Sequence, residues 1–224
     1  MNYHRDKDYV NFEKTFRNIF LKRFGLINRF IKKPGKVFDI GCSNGIFLDL
    51  FKERDWKTWG VEPSQNALEA RRKGHKVIQD DFEKADLPAE YFDLVILNHT
   101  LEHMNSPITV LKKIKSILTL KGIVYIDVPN VGSLSSRLLG KHWPYLLPEE
   151  HKWQFTKASL SKLLNDAGFE IIHWESRSGI FEYANPLLEL HRKRFLLDLC
   201  TMPYALCATL LNMGDSMTFI ATKR

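Results

Sequence analysis

Seven short apolar runs, rich in β-branched residues, alternate along the chain with segments of helical periodicity. This alternation constrains the fold more than any other feature, because repeated strand–helix units pack into a mostly parallel sheet with helices on both faces. The predicted strands are residues 36–40, 58–62, 76–79, 92–97, 123–128, 170–176 and 217–222. The sequence therefore predicts an α/β protein with three layers.

Capping signals place helices between these strands. Ser106 followed by Pro107 starts a helix that is predicted to end near Thr119, and Thr156 starts another that ends at Gly168. A chain of 224 residues is long enough for one large domain but short for two. We expect an N-terminal helical segment over 1–35, a core over 36–177 and 214–224, and a helical insertion over 178–213.

The composition, 44% apolar and 26% charged, is typical of a globular protein and excludes a disordered or fibrous chain. The net charge of +7 arises from basic residues scattered among acids, and basic clusters such as 192–194 contain no interleaved aromatic residues. We therefore expect no nucleic-acid partner. Three cysteines without metal-ligand spacing and a polar first segment, 1–14, favour a cytoplasmic location.

One apolar stretch, residues 195–213, approaches the ~18 residues that suggest a membrane span. Asp198 and Pro203 fall inside it, and both are costly in a lipid-facing helix. We therefore expect a lid or an interfacial helix here. A peripheral membrane contact over 186–213 is an alternative that the sequence leaves open.

A strand that ends in an acid runs into a glycine-bounded turn over 37–45, Val-Phe-Asp-Ile-Gly-Cys-Ser-Asn-Gly. Gly41 and Gly45 let the backbone approach a ligand closely, because neither carries a Cβ. The N-terminus of the next helix offers free amide donors to an anion such as a carboxylate. Glu62, at the end of the second strand, is placed to accept both hydroxyls of a ribose. These features predict a nucleoside cofactor.

Ser43 narrows the choice of nucleoside. A dinucleotide site prefers G-x-G-x-x-G, whose middle glycine makes room for a pyrophosphate. Ser43 occupies that position here, and the spacing is G-x-x-x-G. A cofactor without phosphates therefore fits better than a nicotinamide dinucleotide. The alternatives are a nicotinamide-dependent oxidoreductase and a nucleoside-binding module without catalytic activity.

Two further polar segments follow predicted strands. Asp81 can accept a hydrogen bond from an adenine amine, and Phe82 can cover the base; a solvated or capping turn is the alternative for Asp81. The run 92–104 leads from the fourth strand into a polar loop and includes Asn98. Ligands bind at this edge of open α/β sheets, outside the carboxyl ends of the strands.

Together the motifs D-x-G-C-x-x-G, G-V-E-P-S, D-x-x-x-x-D-L-P and F-D-L-V-x-x-x-x-x-L-E-H resemble those of seven-stranded Rossmann-like S-adenosylmethionine-dependent methyltransferases. The resemblance covers about residues 37–169 and is greatest to ubiquinone-biosynthesis O-methyltransferases and uncharacterised bacterial relatives. It continues through V-P-N at 128–130, P-E-E-H at 148–151 and A-G-F at 167–169. It implies a sheet with an antiparallel last strand, S-adenosylmethionine as the cofactor, and methyl transfer.

The resemblance also implies a role for each matching position. Around the methionine part of the cofactor it places Asp39, Gly41, Cys42 and Gly45, with Asn98 beneath that end. Glu62 would hold the ribose hydroxyls, Pro63 would lie by the adenine, and Asp81 and Phe82 would contact the base. The chain departs from the pattern at Ser43 and Asn44, where relatives often carry glycines, and at 118–122, where a Lys-Pro-Gly-Gly turn is common. Neither departure removes a group that binds the cofactor.

A methyl group on a sulfonium mainly needs an aligned acceptor atom, and a base only where the acceptor must lose a proton. The candidates are His99, His103 and His151, with Glu102 as a partner. We select His151 as the catalytic residue because it lies in an irregular loop rich in tryptophan and proline; a purely structural loop histidine is the alternative. Some ubiquinone-pathway relatives need magnesium, but the spacing of Glu102 and His103 demands no metal, and none is predicted.

The expected reaction is transfer of a methyl group to an oxygen or nitrogen of a small acceptor. The aromatic and apolar content of 141–153 and of 181–213 suggests that this acceptor is partly hydrophobic or lipid-like.

Overall fold

One sheet of seven strands forms the centre of the molecule, in a computed structural model that describes residues 12–190 and 195–224. The strands are β1 (Lys36–Ile40), β2 (Lys57–Val61), β3 (Lys76–Ile78), β4 (Phe92–Asn98), β5 (Leu118–Pro129), β6 (Phe169–Arg177) and β7 (Ser216–Lys223). Their order is 3-2-1-4-5-7-6, with β1 to β5 parallel and β7 antiparallel to both neighbours. The predicted sheet, mostly parallel with an antiparallel last strand, is confirmed.

Helices cover both faces of this sheet. In the described residues they are α1 (Glu13–Ile27), α2 (Ile46–Lys52), α3 (Asn66–Arg72), α4 (Pro107–Ile117), α5 (Leu134–Leu139), α6 (Lys157–Asp166), α7 (Phe195–Cys200) and α8 (Met202–Leu210). Short 3₁₀ turns lie at Leu101–His103, Gly140–His142, Gly179–Glu182 and Pro186–Glu189. Successive side chains of a strand point to opposite faces of the sheet. Val37 and Leu94 therefore pack in the hydrophobic core on one face, and Phe38 and Val95 pack in the core on the other. The sheet and the helices on its two faces thus form the three predicted layers.

The largest departure from the predicted boundaries lies between α4 and β5. The helix that starts at Pro107 ends at Ile117 rather than near Thr119, and β5 starts at Leu118 rather than at residue 123. Leu118 already pairs with Phe92, and a register shift follows before Leu94 pairs with Ile123. Backbone pairing with β4 therefore converts the expected end of the helix into strand.

The insertion over 178–213 is helical in its described part and is tied to α1. Thr15 and Asn18 of α1 donate to the Glu189 carboxylate at 2.9 and 2.8 Å. None of the helices that the structure describes is long and apolar enough to cross a membrane. The basic cluster 192–194 and residues 1–11 of the predicted N-terminal helical segment lie outside the described residues.

The strand order fixes where a ligand can bind. The sheet extends from β1 through β2 to β3 on one side and from β4 to β5 on the other, so the connections diverge between β1 and β4. Such a switch point leaves a crevice outside the carboxyl ends of the parallel strands. The loops after β1, β2 and β4 open onto this crevice.

Candidate active site

A cavity of about 380 Å³ lies at the carboxyl ends of β1, β2 and β4. Further parts of its wall come from residues 80–83 after β3, from Pro129 at the end of β5, and from residues 145–152 of the irregular loop before α6. Of the residues that the sequence analysis selected, those lining this cavity are Gly41, Glu62, Pro63, Asp81, Phe82, Asn98 and His151. Asp39 and Cys42 line a small cavity beside it, which shares Gly41 and Asn98. Gly45 lines neither of them.

The turn between β1 and α2 needs its two glycines for different reasons. Gly41 has φ +77°, and a Cβ there would lie 2.9 Å from Oγ1 of Thr100 in the cavity wall. Gly45 has φ +82°, and a Cβ there would lie 2.7 Å from Cδ2 of His75. Gly41 therefore keeps the backbone close to the cavity, whereas Gly45 lets the turn pack on the protein interior.

Glu62 is buried and already fixed by backbone donors. Its Oε2 accepts from the Ser43 amide at 2.9 Å, and its Oε1 accepts from the Ser64 amide at 2.8 Å. Each carboxylate oxygen can accept a second hydrogen bond. Because Glu62 lines the cavity, the carboxylate is pre-oriented to accept two neighbouring hydroxyls of a ligand.

Buried oxygen acceptors surround the small cavity. Oδ1 of Asn44 and Oδ1 of Asn98 are buried and have no hydrogen-bond partner among the described residues. Burial raises the pKa of Asp39 well above its ordinary value, and the nearby Glu62 carboxylate raises it further. Buried acceptors without donors cost free energy. A ligand that brings hydrogen-bond donors, above all positively charged ones, would relieve this cost.

The side chain of Cys42 lies against strand β2. A Cβ on Gly60 would lie only 2.6 Å from Sγ of Cys42, so the thiol packs against the bare backbone of β2. Burial raises the pKa of this thiol well above its ordinary value, and the Asp39 and Glu62 carboxylates add to the shift. The group is therefore held as a neutral thiol.

Asp81 and Phe82 lie at the mouth of the cavity near the end of β3. The Asp81 carboxylate is half exposed and accepts from Nζ of Lys84 at 2.7 Å. Phe82 is 2% exposed, and Nζ of Lys113 lies 5.0 Å from its ring centroid. Asp81 can thus exchange its lysine partner for a ligand donor, while Phe82 offers only a small part of its ring to the cavity.

Two imidazoles near the irregular loop are held in one tautomer each. Nδ1 of His103 lies 2.9 Å from the Glu150 carbonyl oxygen, and Nδ1 of His151 lies 3.0 Å from that of Tyr145. A carbonyl only accepts, so each Nδ1 carries a proton and, in the neutral ring, Nε2 keeps a lone pair. Both residues line the cavity, and their ring centroids are 4.9 Å apart.

Glu102 lies behind these imidazoles. It is 1% exposed, and neither carboxylate oxygen has a hydrogen-bond partner among the described residues. Its Oε1 is 4.0 Å from Nε2 of His151. Burial lowers the pKa of His151 below its ordinary value, although the Glu102 carboxylate opposes this shift. A neutral His151 can therefore accept a proton and then face a buried negative charge.

A row of alternating acidic and basic side chains continues from Glu102 into the protein. Nδ1 of His99 lies 3.5 Å from Oε1 of Glu102, and Nε2 of His99 lies 3.4 Å from Oδ1 of Asp127. Asp127 in turn accepts from Nε of Arg23 at 3.1 Å. His99 has φ +52°, a left-handed backbone conformation that is uncommon for non-glycine residues. The row thus runs from α1 through β5 to His151.

Arg23 and Asp127 were not among the residues predicted from the sequence. Asp127 offered a signal, since an acid within the apolar run 123–128 of a buried strand needs a partner. Arg23 offered none, because a basic residue on a helix is usually solvated.

The carboxylate of Glu102 and ring nitrogens of His103 and His151 lie within 4.8 Å of one another, and in the described residues this is the group that could hold a metal ion. That the site works without a metal stays a prediction.

Comparison with known proteins places this architecture in a family. Residues 13–174 match a family model described as a methyltransferase domain. The chain is similar to ubiquinone biosynthesis O-methyltransferases from Actinobacillus pleuropneumoniae, 24% identical over 107 residues, and from Bradyrhizobium diazoefficiens, 27% identical over 144 residues. These matches cover 42% and 58% of this chain and 46% and 56% of the relatives. The chain therefore spans about half the length of the curated relatives it matches.

A solved structure shares the fold over nearly its whole length. The crystal structure of a SAM dependent methyltransferase from Archaeoglobus fulgidus matches with a TM-score of 0.67 and 23% identity, covering 96% of this chain and 99% of that one. The family model spans more than half of the chain and includes the turn after β1, Glu62 and the loop after β4. The chain therefore belongs to the S-adenosylmethionine-dependent methyltransferases, and S-adenosylmethionine is its cofactor.

Proposed function

We propose that this methyltransferase moves a methyl group to an oxygen or nitrogen of a small, partly hydrophobic acceptor within the 380 Å³ cavity. The observation that carries the proposal is the different chemistry of the two sides of this cavity. Asn98 and Glu62 provide oxygen acceptors at the strand ends, and His103 and His151 provide imidazoles near the irregular loop. One side suits a cationic nucleoside, and the other suits an acceptor that loses a proton.

The residues after β1 fit the methionine end of the cofactor. Its ammonium group would donate to the acceptor oxygens of Asp39, Asn44 and Asn98, two of which have no other donor among the described residues. Gly41 would allow the backbone to lie against it. We propose that Cys42 and Gly45 shape this turn, Cys42 with its thiol packed against Gly60 and Gly45 through its left-handed backbone.

The residues after β2 and β3 fit the nucleoside. Both oxygens of Glu62 would accept from the ribose hydroxyls while keeping the backbone donors of Ser43 and Ser64. Pro63, Asp81 and Phe82 would frame the adenine.

When bound, S-adenosylmethionine supplies a methyl group on a sulfonium, which is already an activated electrophile. The protein therefore has to orient the acceptor and receive its proton. Nε2 of His151 accepts that proton while Nδ1–H stays bonded to the Tyr145 carbonyl. The Glu102 carboxylate stabilises the resulting imidazolium, and the ring of His99 lies 3.5 Å from the same carboxylate. His151 is thus the proposed catalytic residue.

Binding of S-adenosylhomocysteine and of NAD, read as a shift in melting temperature, tests the cofactor site. A ligand at about a hundred times its Kd stabilises the fold by about 2.7 kcal/mol, which is readily measured. We expect a shift with S-adenosylhomocysteine and none with NAD. The reverse result would favour a nicotinamide-dependent oxidoreductase.

Substitution of Glu62 tests where the nucleoside lies. Glu62→Ala removes the ribose acceptors and should weaken S-adenosylhomocysteine binding by about 1.5–3 kcal/mol in calorimetry. Glu69→Ala, on the neighbouring helix α3, is the matched control and should leave the affinity unchanged. Equal affinity of both variants and the wild type would contradict the proposed placement.

The chemistry of the acceptor rests on the lining of the cavity near His151. Met104 and Leu147 supply apolar surface beside the phenol of Tyr145, which fits a partly hydrophobic molecule. The two relatives described above are named ubiquinone biosynthesis O-methyltransferases, which favours an oxygen acceptor. Incubation of cell metabolites with radiolabelled methyl donor should label a small organic-soluble product. Cofactor binding without any labelled product would favour a non-catalytic module.

We also propose that the protein works in the cytoplasm as a single domain, without nucleic acid, and that residues 186–213 contact a membrane surface peripherally. The three cysteines are free, which fits a reducing compartment. Cell fractionation that found the protein in an oxidising compartment would contradict this location.

A further inference from the structure

The insertion presents large apolar side chains to solvent. Among them, Leu187, Leu190, Leu196, Leu206, Leu210 and Leu211 are between 43% and 73% exposed. Leu138 and Leu139 on α5, outside the insertion, are 73% and 47% exposed. We refer to the exposed apolar residues of 187–190 and 196–211, together with Leu138 and Leu139, as the leucine surface.

The parts of the leucine surface are neighbours in the fold. The Leu134 amide at the start of α5 donates to the Met213 carbonyl just after α8, at 2.9 Å. Residues 190 and 195 are joined by five peptide bonds, which span at most about 18 Å. Helices α7 and α8 are consecutive and in contact. The exposed leucines therefore form one region rather than isolated surface residues.

The packing of α8 explains why its leucines face outward. Ala205 and Ala208 are the buried residues of this helix, and Ala205 lies against Gly179, where a Cβ would be 3.3 Å away. Small residues thus form the inner face, and the larger side chains are left on the outer one. An exposed apolar area of this size usually marks an interaction site. In the described residues, none of 178–213 lines the 380 Å³ cavity.

We infer that the leucine surface docks on a bilayer that contains anionic lipid. Asp198 is the one charged residue in the sequence of 196–211, whereas Arg137 and Lys141, both exposed, flank Leu138 and Leu139. Exposed leucines can insert between the lipid acyl chains, and neighbouring cations can bind the anionic headgroups. Proteins that bind anionic membranes combine these two features. In a symmetric pair of copies the same cations would face each other, which disfavours self-association.

Docking would also bring the active site close to the membrane. Residues 140–144 connect Leu139 directly to Tyr145, which lines the cavity. A partly hydrophobic acceptor could then reach the cavity from the lipid phase. This consequence rests on the proposed methyl transfer, and the docking deepens the peripheral membrane contact proposed for residues 186–213.

Vesicle flotation tests the inference. The wild-type protein should float with vesicles of phosphatidylcholine and phosphatidylglycerol, and much less with phosphatidylcholine alone. The triple variant Leu206→Ser, Leu210→Ser, Leu211→Ser should lose at least about tenfold in partitioning. Leu120→Ser is the control, because Leu120 is 76% exposed on β5, outside the leucine surface. Arg137→Gln with Lys141→Gln should weaken binding to the anionic vesicles alone.

Three outcomes would overturn the inference. Failure of the wild type to float, or equal flotation of the triple variant, would exclude docking through this surface. A dimer in light scattering that the triple variant abolishes would assign the surface to a second copy. The triple variant should keep wild-type binding of S-adenosylhomocysteine, which shows that it folds. If the wild-type protein itself did not bind S-adenosylhomocysteine, that result would count against the proposed function and not against docking.

Discussion

Arg23 should contribute strongly to stability at neutral pH, because it neutralises the buried Asp127. The guanidinium is 5% exposed and bonds the Asp127 carboxylate at 3.1 and 3.3 Å. Removing one partner of a buried ion pair costs about 3–5 kcal/mol. The hydroxyls of Tyr125, Ser216 and Thr218 would still donate to Asp127. We therefore expect Arg23→Met to lower the free energy of unfolding by about 3 kcal/mol, the lower end of that range.

The size of this loss should depend on pH. Burial alone would raise the pKa of Asp127, but Arg23, His99 and the Ser216 hydroxyl hold it well below its ordinary value of 3.8. A carboxyl with a depressed pKa stabilises the fold above its unfolded pKa, and this contribution is lost as the pH falls through about 4 and below. In Arg23→Met the pKa of Asp127 rises. The deficit of the variant should therefore be largest at about pH 7 and smaller at about pH 4.

Urea unfolding followed by circular dichroism at these two pH values measures both effects. Arg17→Met is the matched control on α1, because the Arg17–Glu53 pair is 37% and 47% exposed and such pairs contribute about 0–1 kcal/mol. Asp127→Asn and the double variant complete a cycle in which the two losses should not add. A deficit no larger than that of Arg17→Met, or one equal at both pH values, would refute the reasoning.

Three further predictions concern the cavity. Gly41→Ala should weaken S-adenosylhomocysteine binding by roughly tenfold, because φ is +77° and the new Cβ would lie 2.9 Å from Oγ1 of Thr100. Gly25→Ala is the control, because a Cβ there would have no atom within 4 Å. Equal affinities of the two variants in calorimetry would contradict this prediction. Glu102→Gln should lower the pKa of His151 further in an NMR titration, since the carboxylate opposes the effect of burial. An unchanged pKa would show that Glu102 does not interact electrostatically with His151. His151→Gln should slow methyl transfer by about 10²–10⁴-fold at unchanged cofactor affinity, and full activity would exclude it as the base.

Local patterns were sufficient for the residues that follow strands. Gly41, Glu62 and Asn98 are far apart in the chain, yet each comes at the carboxyl end of a predicted parallel strand, so their meeting at one edge of the sheet could be predicted. The position of His151 beside this cavity could be anticipated from the motif, but its contact with Glu102 could not. That contact depends on how a long irregular loop folds back.

Side-chain direction and long-range pairing could not be read from the sequence. The motif indicates that Cys42 and Gly45 belong to the turn, but not that Cys42 faces Gly60 or that Gly45 faces His75. The Arg23–Asp127 pair joins residues 104 positions apart, and neither a helical nor a strand periodicity carries that information. Helix α4 ends early for a similar reason, because pairing with β4 decides it.

A crystal structure of the complex with S-adenosylhomocysteine tests the central claim most directly. We predict the ribose hydroxyls on the Glu62 carboxylate and the amino group within hydrogen-bond distance of Asp39 or Asn98. The homocysteine sulfur should face the side of the cavity that carries His151. Electron density for the ligand outside this cavity, or with its amino group turned away from β1 and β4, would contradict the account.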